Sequence, residues 1–444
     1  MGNILTKHPK GLYLLFAVEM WERFSYYGMR ALLVLYLIQS IFKNVDEVSA
    51  VHYAGNIYGW YTGLVYLTPL AGGYLADRFL GQRKCISIGA ILMAIGLFLL
   101  AVSDISALEQ YNFLIFTLGL VLMVISNGFI KSNISTVVGM LYGEDKQRRD
   151  AGFTIFYMGI NLGAFFSPLI CGTLAGLYGF KYGFMAAGIG ILIGLLIYKM
   201  GEKSLLGEHG MYPCAVSSTN NEDERELRLR EKRKIWALYI LMAFSIIFWC
   251  CYEQAGCSMA LFAEYETNRL ITIGGKLITI PSQYFQSLNP LFIIVLAPII
   301  SSFWGYLNSK KAEPNSVIKF NLALLLISCS FLVMSIAAYN AKNVAVSPLW
   351  LICAFFIATL AELCISPIGL SLVTKLAPAK FASLLMGCWF LSSSVGNISA
   401  GMFAGYYEKI SHPVFFIILS CASLVIAILL FFMTPILKKW IGKY

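Results

Sequence analysis

Apolar runs alternate with short polar stretches along the whole chain, at residues 11–38, 54–76, 85–103, 111–141, 151–177, 181–200, 235–264, 282–308, 316–339, 348–375, 381–407 and 411–435. Each approaches or exceeds the roughly 20 residues that cross a hydrocarbon core, so the pattern predicts an all-α membrane protein with 12 transmembrane helices. The longer runs are expected to tilt or protrude. Alternate loops differ in charge. One set (the N-terminus, the loops near Arg78, Arg148, Arg228, Lys310 and Lys380, and the C-terminus) holds 23 Lys and Arg, the other set holds 6, and the spans hold the remaining 4. By the positive-inside rule both termini and the long central loop are cytoplasmic, and the protein is expected in the plasma (inner) membrane.

Residues 201–234 contain no apolar run, and their last part, NEDERELRLREKRK from Asn221, is dense in both signs of charge. This stretch reads as a cytoplasmic linker, helical in part, between a six-span bundle over 1–200 and a second over 235–444. Equal halves are the pattern of internally duplicated membrane folds. The best internal echo sets NLGAFFSPLICG at Asn161, in the fifth span, against GNISAGMFAG at Gly396, in the eleventh. Small residues at such spacing let helices approach closely whatever their function.

The first run departs from the rest. Its stretch EMWERFSYYGMR places Glu19, Glu22, Arg23 and Arg30 where lipid-facing residues belong. At about 100° per residue these four and Tyr26 fall within a stripe about 100° wide, with apolar faces elsewhere. Each charge near a span centre costs about 2.5 to 3.5 kcal/mol on insertion scales, and each Leu, Ile, Phe or Val returns only about 0.3 to 0.6. Such a helix is tolerable when its stripe faces a polar interior, where ionisable groups mark ion or substrate paths. A purely structural ion-pair clamp is the plainer reading.

Composition narrows the field. The chain is 59% hydrophobic and 13% charged, against about 25% charged in soluble domains. The net charge of +10 sits in loops instead of on a basic face of a soluble module, so no nucleic-acid partner is expected. The 11 cysteines lie mostly in apolar runs (Cys85, Cys171, Cys329, Cys353, Cys421), without a C-x-x-C pair, and read as small buried hydrophobes. His8, His52, His209 and His412 fall in loops or at span ends. No metal or cofactor is expected, and no cleavable leader is apparent ahead of the first run.

Between the second and third spans lies GGYLADRFLGQRK, from Gly72 to Lys84, a short turn with Asp77 beside Arg78 and a following basic pair. It fits a hinge pinning two helix ends through charged hydrogen bonds, and it resembles the signature loop of the major facilitator superfamily. The stretch Glu19 to Gly28 resembles the E-x-x-E-R-F-x-Y-Y-G motif of the proton-dependent oligopeptide transporter (POT/PTR) family. Similar stretches run through both halves: GLVYLTPLAGGYLADR, NGFIKSNIS, GINLGAFFSP, FWCCYEQAG, YFQSLNPLFIIVLAP, ELCISPIGLSLVTKLAP and GCWFLSSSVGN. The chain departs from the family pattern in two places. The linker is too short and polar for the extra helix pair of many bacterial members, and Ser126 and Ser132 stand where glycine and proline are usual around Lys131.

The intramembrane charges are Glu19, Glu22, Arg23 and Arg30 on the first span, Lys131 on the fourth, Glu253 on the seventh and Glu362 on the tenth. Lys319, near a span end, is expected to snorkel. The first half carries one surplus positive charge and the second half two carboxylates, which suits a zwitterion with separated ends; Arg can grip a carboxylate with two bonds, while Lys adds a point charge. The resemblance implies that Arg23, Arg30 and Lys131 receive a peptide carboxylate, Glu362 the amino terminus, and Asn161 and Asn289 the peptide backbone. It further implies side-chain pockets lined by Tyr26, Tyr27, Tyr66, Trp249 and Trp389, with Ser366 and Ser393 one turn beyond Glu362 and Trp389. For each aromatic alone, packing is the better explanation.

Proton coupling requires carboxylates whose proton affinity depends on state: burial holds a carboxylate protonated and a neighbouring cation releases the proton. Glu19 and Glu22 near Arg23 and Lys131, and Glu253 near Arg30, are the switching pairs this logic and the resemblance suggest. The expectation is a monomeric symporter in the lipid bilayer, importing di- and tripeptides with protons by alternating access. Three other readings stand beside it. An enzyme would need H-E-x-x-H, G-x-S-x-G or paired intramembrane aspartates, which are not found. A sensor built on a transporter fold would carry an added cytosolic domain. A nitrate or other anion carrier would gain nothing from Glu362.

Overall fold

The computed structural model describes residues 8–143, 145–213, 227–273, 275–376 and 382–441. The first part of NEDERELRLREKRK and the loop at Lys380 lie outside the described residues. Helices account for nearly all of the rest. The first six are α1 (Lys10–Tyr36), α2 (Glu47–Leu75), α3 (Gln82–Ser103), α4 (Asn112–Met140), α5 (Lys146–Tyr178) and α6 (Phe180–Leu205). After the linker come α7 (Leu227–Tyr252), the short α8 (Ser258–Tyr265), α9 (Leu288–Ser309), α10 (Ser316–Asn340), α11 (Leu349–Leu376), α12 (Ala382–Ala404) and α13 (His412–Ile441). Leaving out α8, this is the twelve-helix pattern expected, with most boundaries within a few residues. Among the described residues, 9 helical stretches are long and apolar enough to cross a membrane. The charged stripe keeps α1 out of that set.

The described residues cluster into two compact units, one within Met1–Lys43 and Leu64–Ser217, the other within Asn44–Gly63 and Ser218–Tyr444. The boundary falls inside α2. In the first unit α1 packs against α5 and α6. The α5 contact is close: a Cβ on Gly163 would stand 2.1 Å from the Met20 carbonyl oxygen, so only glycine lets the two backbones meet there. On the α6 side, Ser25 Oγ donates to the Ala187 carbonyl at 2.7 Å. With its back fixed by small residues, α1 holds its stripe in one orientation.

In the second unit α12 meets α7 similarly. A Cβ on Gly396 would fall 2.6 Å from Trp249 Cβ and 2.9 Å from the Ile246 carbonyl. The glycine-rich echo between the fifth and eleventh spans thus has the same packing role in each unit, setting a helix close against the first and the seventh span.

Three local features differ from the sequence reading. The run over 235–264 is not one helix: α7 stops at Tyr252, a 3-10 turn covers Glu253–Gly256, and α8 resumes at Ser258. The polar sequence Glu253-Gln254-Ala255-Gly256 breaks the ladder, and Gln254 donates to the Ala400 carbonyl at 3.0 Å. A β-hairpin follows, pairing β1 (Leu270–Ile273) with β2 (Lys276–Thr279). Its signal, β-branched residues flanking Gly274-Gly275, is a hairpin pattern, and Gly275 has φ 78°. Lastly, Lys319 does not snorkel. It is buried, with Nζ 2.5 Å from Glu313 Oε1 and 4.5 Å from the Trp304 ring centroid, so a local carboxylate replaces water as its partner.

The linker's start is ordered against the first unit. Arg83 Nη1 donates to the Gly207 carbonyl at 2.7 Å and the Arg83 backbone N–H to the Gly210 carbonyl at 2.9 Å. In the same loop Gln82 Nε2 donates to Asp77 Oδ1 at 2.7 Å. These are charged and polar ties at helix ends of the kind expected of GGYLADRFLGQRK.

Candidate functional site

In the first unit, one turn of α1 brings Arg23 Nε to 3.0 Å from Glu19 Oε1, and the same guanidinium meets Glu22. All three residues are 4% exposed or less. Their spacing puts them on one face, and burial makes the pairing obligatory, since an unpaired interior charge costs several kcal/mol. One guanidinium faces two carboxylates. Lys131, on α4, lies near enough for its charge to act on both. Beside Lys131, Ser132 Oγ donates to the Pro69 carbonyl on α2 at 3.2 Å, and Ser126 Oγ to Met123 O at 2.8 Å. Ser132 thus ties α4 to α2 while Ser126 bonds back within α4, which remains one continuous helix through Lys131.

Three tyrosines expected in side-chain pockets stand against these cations. The Arg23 guanidinium is 5.5 Å from the Tyr26 ring centroid, that of Arg30 5.7 Å from Tyr27, and Lys131 Nζ 3.8 Å from Tyr66. Cation–π contact of this kind is worth about 0.5 to 2 kcal/mol, more where water is excluded. Tyr26 and Tyr27 meet edge-on at 5.1 Å. Asn161 is buried on α5 and donates to the Tyr157 carbonyl at 3.0 Å.

In the second unit a carboxylate is the centre. Glu362, on α11, accepts from the Tyr252 hydroxyl at 2.6 Å and from Asn289 Nδ2 at 2.9 Å. Asn289, in the first turn of α9, also points Nδ2 at Thr359 Oγ1, 3.1 Å away. Trp249 meets Tyr252 edge-on at 5.6 Å. The structure therefore gathers Glu362, Asn289 and Trp249, as read from the sequence, and adds Tyr252 and Thr359. Trp389 is deeper: it is 4% exposed, over Gly369 and edge-on to Phe320 at 6.0 Å. Ser393 is buried too, while Ser366 Oγ has no hydrogen-bond partner among the described residues.

Glu253, in the turn that ends α7, accepts from the Tyr58 hydroxyl at 2.7 Å. Tyr58 is fully buried on α2, in the segment that clusters with the second unit. It reaches Glu253 across Gly256, where a Cβ would stand 1.8 Å from the hydroxyl. Tyr58 was not legible as a site residue, because a lone tyrosine in an apolar run reads as packing. Tyr252 had a better signal in its place beside Glu253 within FWCCYEQAG.

Buried charge clusters backed by small-residue helix packings, in a twelve-helix membrane chain of two compact units, define a secondary transporter of the major facilitator type. A family model described as the POT family matches residues 83–208 and 213–418, and the chain belongs to that family. It is 32% identical to the di-/tripeptide transporter of Lactococcus lactis subsp. cremoris, over 97% of this chain and 96% of the relative. It is 34% identical to the peptide transporter YePEPT of Yersinia enterocolitica, over 92% and 89%. Among solved structures, a peptide transporter POT in complex with sulfate superposes with a TM-score of 0.87 at 33% identity, covering 98% of this chain and 96% of that one. A POT family transporter in complex with 5-aminolevulinic acid gives 0.86 at 29% identity, with 98% of each chain covered.

Proposed function

We propose that this protein is a monomeric proton-coupled symporter that imports di- and tripeptides by alternating access, with both termini on the cytoplasmic side of the plasma membrane. The observation that carries the substrate reading is the division of charge. Arg23, Arg30 and Lys131 supply cations from the first unit, and Glu362 supplies a carboxylate held by two neutral donors in the second. A peptide presents its carboxylate to the cations and its ammonium group to Glu362, while Asn161 and Asn289 offer amides to its backbone. The two relatives named for peptides support this. So does the bound 5-aminolevulinic acid, which carries an amine and a carboxylate at opposite ends.

Coupling follows from competition for the same cations. In the arrangement seen here Glu19 and Glu22 share the guanidinium of Arg23. When a substrate carboxylate draws those cations away, the buried glutamates are left without counter-charge and take up a proton.

Counterflow of a labelled dipeptide in proteoliposomes tests the substrate class, with competition by di- and tripeptides, free amino acids and nitrate. Peptides are expected to compete and nitrate to have no effect; the reverse result would make the protein an anion carrier.

A further inference from the structure

Glu362 ends a chain of hydrogen bonds that runs in one direction. Thr359 and Glu362 lie three residues apart on one face of α11, and the Asn289 amide, from the first turn of α9, spans them. Its Nδ2 donates to Glu362 Oε2 at 2.9 Å and to Thr359 Oγ1 at 3.1 Å. The Thr359 hydroxyl is fully buried and donates to the Phe355 carbonyl at 2.7 Å, so towards Asn289 it accepts. Both amide hydrogens of Asn289 are thereby committed. Turned over, the amide would set its oxygen against a carboxylate and against a hydroxyl whose hydrogen is already given, so it has one orientation.

A second donor reaches the same oxygen from α7. The Tyr252 hydroxyl stands 2.6 Å from Glu362 Oε2, and its ring is wedged in place, stacked on the fully buried Phe248 at 5.8 Å and edge-on to Trp249 at 5.6 Å. Donors from two other helices converge on one oxygen and fill its two lone-pair directions. They fix the terminal torsion of the glutamate, which by itself is broad.

We propose that Tyr252 and Thr359 are positioning residues that set substrate specificity: by fixing Glu362 they make the site select an amino group at the α position over one placed a carbon further out. This rests on the reading that Glu362 meets the amino end of the substrate. A β-alanyl peptide carries its ammonium group one carbon–carbon bond, about 1.5 Å, beyond the α position. A carboxylate able to turn would follow the displaced group. One held in a single orientation gains affinity for the amine it is set for and loses it for the other.

The test measures the half-saturating concentration and maximal rate of counterflow for alanyl-alanine and β-alanyl-alanine in proteoliposomes. The parent is expected to favour alanyl-alanine by about tenfold in half-saturating concentration, the cost of missing one hydrogen bond to a charged group. Tyr252→Phe and Thr359→Val should each weaken alanyl-alanine by about tenfold on the same basis and leave β-alanyl-alanine nearly unchanged, bringing the ratio close to one at an unaltered maximal rate. Thr359→Ser, which restores the hydroxyl lost in Thr359→Val, should bring the parental ratio back. Tyr265→Phe, at an exposed tyrosine on α8, serves as the control and should match the parent. A parent without preference, equal weakening of both peptides in the two variants, or a fall in maximal rate alone would overturn the proposal. If Glu362→Gln weakens both free-amine peptides while Tyr252→Phe and Thr359→Val keep the parental ratio, the positioning role is wrong and the amine reading stands. If Glu362→Gln keeps the parental affinities, both fail together.

Discussion

Glu362 and Glu22 are both membrane-embedded carboxylates, and their partners assign them different work. Glu362 accepts from two neutral donors, Tyr252 and Asn289, which orient it. In the proposed role an ammonium group meets the same carboxylate. Removing one member of a buried charge pair costs about 3 to 5 kcal/mol, less in a hydrated cavity, so Glu362→Ala should weaken dipeptide uptake about tenfold or more. Peptides with an acetylated amino end should bind the parent poorly and lose little further in the variant; an equal loss for blocked and free peptides would remove the amine role. Glu22 shares one guanidinium with Glu19 in a dry setting. Glu22→Gln fixes that position in a neutral form, and the expected result is loss of gradient-driven accumulation with peptide exchange largely spared. Both residues were legible from sequence because charge in an apolar run is conspicuous. Tyr58 and Thr359 were not, because a hydroxyl in such a run is cheap to hide and announces nothing until its partner is seen; Tyr252 carried only its place beside Glu253.

At the scale of elements, close approach decides what each helix tolerates. Gly163→Ala would drive a Cβ into the Met20 carbonyl, and Gly256→Ala one into the Tyr58 hydroxyl, whereas a Cβ on Gly139 meets nothing within 4 Å. Overpacking costs about 1 to 3 kcal/mol, and alanine in place of an open helical glycine gains up to about 1 kcal/mol. Thermal unfolding in detergent should therefore show Gly163→Ala destabilised and Gly139→Ala unchanged or raised. Gly256→Ala should also separate Tyr58 from Glu253, and its transport phenotype should follow that of Tyr58→Phe. Hydrophobic run length located the long helices well, since twenty apolar residues in lipid have few options besides a helix. It missed the break after Tyr252, because a helix interrupted by four residues has the same average hydropathy as an unbroken one. The hairpin was missed for a different reason: β-branched residues beside two glycines were absorbed into a loop between two stronger signals.

For the whole molecule, the loop-charge asymmetry makes an orientation testable. Cysteines placed singly at Lys310 and at Lys276 should label from opposite faces of intact cells, Lys276 from outside and Lys310 only after permeabilisation. Labelling of Lys310 from outside would reverse the topology and with it the direction of import. The twelve-helix architecture was readable because span count and loop charge are independent patterns that agree here. The assignment of residues 44–63 to the second unit was not, because hydropathy reports whether a segment enters the bilayer and is silent about which neighbours it finds there.

The hairpin offers a practical opening. Its base is stapled: Arg269 donates to Glu264 Oε1 at 2.7 Å and to the Ile280 carbonyl at 3.0 Å, and Ser282 Oγ meets Glu264 Oε2 at 2.5 Å. Its turn carries Gly275 with open space around the backbone. A membrane protein built mostly of helices within lipid gives electron microscopy little mass by which to align single particles. A short exposed hairpin fastened at its base is a place to graft an antibody-fragment epitope, so that a bound fragment marks the particle's orientation without touching the charged stripe of α1 or the carboxylate of α11.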